Sequence, residues 1–270
     1  MTDEMTDPEQ RRTDSATVTR GSTGVAPAMA RLHAQHRFAS MVLAPIWLTL
    51  VVLAMRFYFR YRIEDVDALR AQYRRIRAQS DAPILVCGNH LTLIDSLLIG
   101  WALGSGPYWL THPDELPWNT PERANFGKTW GARALIFIVK CIPITRGGPR
   151  QEVGLVLARI RHLLSKGETA LLFPEAGRSR TGRVDEEAVA WGVGRVIGEV
   201  QKCRVLCVYL RGRRQETWGD FPQKGDVLDV SMVCIEPKSD ARGVRRSRDL
   251  SRQVIRQLVQ MEADYFDARQ

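Results

Sequence analysis

Four short apolar runs stand out along the chain: ILVCG (84–88), TALLF (169–173), VLCVYL (205–210) and VLDVSMVCI (227–235). Runs of this length predict buried strands, the last with partial alternation. Two further short strands are expected at PYWLT (107–111) and CIPIT (141–145), with a Pro-rich loop reaching Pro121 between them. Helical patterning falls over 93–103, 126–140, 151–165, 186–201 and 247–266, and Lys166-Gly167 supplies a stop after the third of these. Strands and helices taking turns predict an α/β fold, a single domain whose largely parallel central sheet is flanked by helices. No internal repeat interrupts the pattern.

The N-terminal quarter reads differently. Residues 1–36 mix Thr, Ser, Gly and Pro with both charge signs and lack an apolar period, so they are expected to form a disordered leader without the features of a secretory signal. FASMVLAPIWLTLVVLAM (38–55) then runs for eighteen residues without a charge and meets Arg56, an aromatic FYF and Arg60. As one helix it would measure about 27 Å, near the lower limit for a bilayer core of about 30 Å. The Arg and aromatic cluster at its end favours an N-terminal membrane-associated helix within 37–62 over a greasy core helix, and Pro45 leaves room for a kinked, half-inserted one. Residues 56–79 carry seven arginines against three acids, a bias that, if the helix spans, puts the folded part, 63–270, on the cytoplasmic face.

Composition narrows the class. With 270 residues, 44% hydrophobic and 26% charged, the chain is neither disordered nor a polytopic transporter. Its net charge of +9 calls for an anionic partner, which charge alone does not choose among nucleic acid, a membrane surface and a phosphorylated small molecule. Few aromatics interleave the basic run at 238–256, so no nucleic acid is expected. Cys87, Cys141, Cys203, Cys207 and Cys234 form no C-x-x-C or zinc pattern and read as reduced core thiols, so no metal is expected.

Candidate chemistry gathers where buried strands end, which is where parallel sheets bind ligands. In GNHLTLIDS (88–96), His90 precedes Asp95 by five residues, close enough for the carboxylate to hold one imidazole nitrogen and leave the other to take a hydroxyl proton. The competing reading is a helix capping box, Thr92-x-x-Asp95, with no catalysis. LLFPEAGRSRTG (171–182) brings Glu175, Gly177, Arg178 and Ser179 to a second strand end, with Arg178 a candidate phosphate clamp, against the alternative of a solvated turn. IPITRGG (142–148) runs into Arg146 and two glycines, which alone reads as a basic turn. GVGRVIG (192–198) lies in a probable helix, where small-residue packing explains it better than dinucleotide binding, and His33 and His36 do not suggest a metal site.

Taken together, in order, over roughly 82–212, these blocks resemble the glycerolipid acyltransferase family typified by 1-acylglycerol-3-phosphate acyltransferase. The family's H-x-x-x-x-D block matches His90 to Asp95, its second block matches Ile142 to Arg146, and its F-P-E-G-T-R-S block matches Phe173 to Ser179. The resemblance implies His90 as general base, Asp95 as its partner, Arg146 and Arg178 as binders of the acceptor phosphate, and Glu175 as a positioning residue, with Gly177 and Ser179 in the same substrate-binding loop. It implies acyl-CoA or acyl carrier protein as donor, no cofactor, membrane lipids as partners, and a role in phospholipid biosynthesis. The sequence departs from the family at Ala176-Gly177, at Cys207, and at HPDEL (112–116), which lacks the usual lysine. Two other readings stay open: acylation of a different acceptor, such as a lyso-aminolipid or a secondary-metabolite hydroxyl, and a non-catalytic basic membrane-surface protein.

Overall fold

A computed structural model describes residues 27–126, 129–175 and 177–269. In chain order the elements are α1 (Pro27–Val42), α2 (Ala44–Leu53), a π-helical turn (Ala54–Tyr58), β1 (Arg62–Ile63), α3 (Val66–Ala78), β2 (Ile84–Gly88), α4 (Asp95–Leu103) and α5 (Gly106–Thr111). They continue with β3 (Trp118–Asn119), α6 (Arg123–Phe126), α7 (Trp130–Ile138), α8 (Arg150–Ser165), β4 (Ala170–Leu172), α9 (Trp191–Glu199), β5 (Arg204–Gly212), β6 (Val227–Ile235) and α10 (Gly243–Asp267). The strands form one six-stranded sheet in the order β1-β6-β5-β2-β4-β3, parallel throughout except for the antiparallel pair β5 and β6. This is the expected α/β domain.

The unbroken apolar runs follow from burial on both faces. Ile84 and Val86 of β2 point into one core with α2, α3 and α4, while Leu85 and Cys87 point into the other with α8, α9 and α10. Leu206 and Val208 against Val205 and Cys207 repeat the alternation on β5, so one period of two supplies both cores. Helix α9 lies so close to α10 that a side chain at Gly194 would collide with the Ser247 carbonyl, which accounts for the small residues in GVGRVIG.

Several expectations need correction. PYWLT is not a strand but lies in α5: Ser105 caps it by accepting the Tyr108 amide at 3.3 Å, and Pro107 sits in its first turn, where a missing N–H costs nothing. CIPIT makes only isolated bridges, Asn119 with Cys141 and Glu122 with Ile144. Helix α9 begins at Trp191, five residues later than expected. Residues 27–36, expected in the leader, form most of α1, whose His33 and His36 are buried against Trp118; residues 1–26 of that leader lie outside the described residues. Helix α3 and the two-residue β1 were not anticipated.

The uncharged run at 38–55 does not make one helix. Pro45 has no N–H to continue the ladder and its ring crowds the carbonyl four residues back, so α1 ends at Val42 and a new helix starts at Ala44. No single helix among the described residues is long and apolar enough to cross a membrane; Ala30–Val42 and Ala44–Tyr58 meet that test only together, bent by 58°. Trp47, Leu48 and Met55 join the core, whereas Phe38, Ile46, Leu50, Leu53 and Phe57 remain exposed.

Candidate active site

Strand β2 ends at Gly88, and the chain turns through 89–94 before α4 starts at Asp95. Asn89 anchors the turn to β5, donating to the Leu210 carbonyl at 3.0 Å and accepting the Leu210 amide at 2.8 Å. His90 therefore leaves the sheet at a fixed angle. Its Nδ1 lies 3.0 Å from Asp95 Oδ2, and its ring stacks on Phe173 with centroids 4.0 Å apart and planes inclined by 14°. None of the described residues is seen to hydrogen-bond Nε2, so the edge of the ring away from Asp95 is left for a substrate.

Asp95 is almost wholly buried at 1% exposure, yet its charge is well solvated by protein donors. The amides of Leu91 and Thr92 donate to Oδ2 at 2.6 and 2.7 Å, and the Thr92 hydroxyl donates to Oδ1. A reciprocal capping box is not formed, because the Thr92 hydroxyl gives its proton to the carboxylate instead of accepting an amide. The carboxylate is thus oriented by the loop and offered to the imidazole.

The loop after β4 closes on the same turn. The Ser179 amide donates to the His90 carbonyl at 2.9 Å, and Glu175 accepts the His90 amide at 3.2 Å and the Asp185 amide at 3.3 Å. Burial pushes the Glu175 carboxyl up to about 7 against the pull of those two amides. Glu175 thus braces the backbone of His90. Ser179 is spent in the same way, its hydroxyl donating to the Arg183 carbonyl. A side chain at Gly177 would meet nothing within 4 Å, so the turn's steric demand falls on Gly182, at φ +72°, where a side chain would strike the Glu216 carbonyl.

The two arginines come from separate loops. Burial lowers the Arg146 guanidinium from its usual value, Glu122 opposes that, and Arg178 is close enough for its charge to add to the lowering. Glu122 holds Arg146 in place: its carboxylate accepts the Arg146 amide at 3.0 Å and lies 3.7 Å from the guanidinium. Arg178 donates to the Gly219 carbonyl and to Asp220, both at 2.8 Å, and lies over the Trp218 ring at 4.7 Å. Beside Arg146 lies a cavity of about 170 Å³, bordered by Thr120, Gly147, Phe173 and Val193.

Comparison with known proteins decides the class. The sequence model described as Acyltransferase matches residues 65–211, more than half of the chain. The chain belongs to the acyltransferase family. A search of curated protein sequences finds no match. The matched span of this acyltransferase holds His90, Asp95, Glu122, Arg146, Glu175 and Arg178, and ends just before the loop that carries Trp218 and Asp220.

Glu122, Trp218 and Asp220 were not anticipated as site residues. Each sits outside the helices and strands, in a stretch with no periodic signal, and only long-range packing brings it to an arginine. Among the described residues no group of three or more His, Cys, Asp or Glu side chains is arranged to hold a metal ion.

Proposed function

We propose that this acyltransferase moves an acyl group from acyl-CoA or acyl carrier protein to the free hydroxyl of a lysophospholipid, with 1-acylglycerol 3-phosphate as acceptor and phosphatidic acid as product. The observation that carries the reading is the His90 imidazole, held at Nδ1 by a buried carboxylate and unengaged at Nε2, with the loop that carries Arg178 bonded to its turn.

In this mechanism Arg146 and Arg178 bind the acceptor phosphate, which sets its free hydroxyl near His90. Nε2 takes the hydroxyl proton as the oxygen attacks the thioester carbon, and Asp95 stabilises the imidazolium that results. The tetrahedral intermediate expels the thiolate, which recovers the proton from His90. No acyl-enzyme forms, so the protein needs a base, its orienter and an anion clamp but no nucleophile.

Lipid substrates also require access to a membrane. In the proposed arrangement the bent α1/α2 pair lies in one leaflet: the 58° bend shortens its reach, and Trp47, Leu48 and Met55 are committed to the core while Phe38, Ile46, Leu50 and Phe57 are exposed. The catalytic domain then faces the cytoplasm.

Mass spectrometry of the products made by wild type and His90→Ala from several lysolipid and non-phosphorylated acceptors tests the proposal. Phosphatidic acid formed by wild type and reduced about 10²- to 10⁴-fold in the variant is the expected result. Acylation of only a phosphate-free acceptor would reject the assigned substrate.

A further inference from the structure

The segment between β5 and β6 runs back across the mouth of the site. The Gly219 amide donates to the Leu91 carbonyl at 3.0 Å, and the Asp220 carbonyl accepts the Leu93 amide at 3.1 Å, so this strap is stitched to the turn between His90 and Asp95. Its other end is fixed to the exit of the hydrophobic segment: Phe221 stacks on Phe59 at 5.2 Å, Tyr61 donates to the Pro222 carbonyl at 2.7 Å, and the Gly225 amide donates to the Phe59 carbonyl at 2.7 Å. Backbone bonds therefore set where the Asp220 side chain goes. It goes to Arg178.

We infer that Asp220 occupies Arg178 as an internal stand-in for the acceptor's anionic headgroup and that a phosphate-bearing ligand displaces it, so this carboxylate sets the affinity of the site for phosphate. The inference rests on the proposed role of Arg178. Three observations carry it: the carboxylate sits 2.8 Å from the guanidinium, it is 63% exposed and so free to swing into solvent, and Arg178 is turned over the Trp218 face. An exposed Arg and Asp pair is weak, so a doubly charged phosphate making bidentate bonds displaces it, whereas a neutral hydroxylated headgroup has nothing with which to compete. Glu122 does not play this part for Arg146, because it also accepts that residue's backbone amide and is better enclosed.

The Arg178 and Trp218 contact supplies a readout independent of turnover. Titrating the full-length protein with inorganic phosphate and with glycerol 3-phosphate, while following tryptophan fluorescence against a Trp218→Phe control, measures release of Arg178 from the ring. Asp220→Asn is expected to bind both probes about two- to fivefold more tightly than wild type, the factor that matches an exposed ion pair. With 1-acylglycerol 3-phosphate the same gain appears in KM, while KM for a phosphate-free acceptor, which does not displace the carboxylate, stays at its wild-type value. Equal phosphate affinities in wild type and Asp220→Asn overturn the inference whatever the enzyme acylates. Tighter phosphate binding by Asp220→Asn together with acylation of phosphate-free acceptors alone keeps the latch and rejects the assigned acceptor instead.

Discussion

The oxygen of Asp95 that meets the His90 imidazole is the same Oδ2 that accepts the Leu91 and Thr92 amides, so the orienting carboxylate is itself fixed by the two residues that follow the base. Orientation and local folding share one atom. Asp95→Asn keeps the size of the side chain but removes its charge and makes one terminal atom a donor, which favours the wrong imidazole tautomer. A fall in kcat of about 10²- to 10⁴-fold is expected. Thermal unfolding of the same variant should register loss of the loop's hydrogen bonds, about 1–3 kcal/mol. A variant with near-normal kcat would show that the pair is structural.

Arg146 and Arg178 are the proposed phosphate binders, and lysine cannot reproduce the paired bonds of a guanidinium fork to phosphate. Hydrogen bonds to charged groups are worth about 1.5–3 kcal/mol, so Arg178→Lys should raise KM for a phosphate-bearing acceptor about tenfold or more. The same substitution should leave KM for the acyl donor close to wild type. An equal rise in both constants would mean that Arg178 serves the donor.

Glu175 predicts a pH dependence. Its folded-state value, pushed by burial to about 7, lies above the ordinary 4.5, so the folded protein holds this proton more tightly than the unfolded chain. The contribution to stability is complete below pH 4.5 and is lost as pH rises through 7, about 3 kcal/mol in all. Glu175→Gln removes this titration, and its unfolding free energy should change less between pH 4.5 and 7.5 than that of wild type. Denaturant unfolding across that range is the measurement, and parallel curves would place the titration elsewhere.

What was readable in advance, and what was not, follows from the range of each signal. β2, β4 and β5 were visible because strands buried on both faces leave continuous apolar runs, and β6, only half-buried, through its partial alternation. Asp95 could be paired with His90 because the two are five residues apart in one turn. PYWLT misled because aromatic content suggests a strand, while the cap at Ser105 and the proline behind it decide for a helix. Glu122 and Asp220 carry no such local mark: they reach Arg146 and Arg178 across 24 and 42 residues. Helix α1 was hidden for a related reason, because its buried face is held by His33 and His36 and so lacks an apolar stripe.

That polar face of α1 supports a last prediction, on stability. Glu168, between α8 and β4, accepts Trp118 Nε1 at 2.5 Å and pairs with His33 Nε2 at 3.1 Å, with Lys140 Nζ at 3.6 Å. Burial alone would raise this carboxyl, but His33, Lys140 and Trp118 together bring it down to about 2. Lys140 is 2% exposed, donates to the Pro113 and Leu116 carbonyls at 2.8 Å, and is lowered by burial to about 8. Glu168→Gln would leave that ammonium enclosed with only the more distant, half-exposed Asp114 carboxylate as counter-charge, and removing one partner of a buried pair costs about 3–5 kcal/mol. Adding Lys140→Met should recover part of the loss, since the stranded charge leaves with it, so the double variant is more stable than the sum of the single effects implies. Acid should act in the same direction: the stability from the depressed Glu168 value is present above pH 4.5 and fades as pH falls toward 2, a slope Glu168→Gln lacks. Strictly additive unfolding energies for the two substitutions would show that Lys140 and Glu168 are neighbours without being partners, and that α1 is held by its aromatic contacts with Trp118 and Phe137 instead.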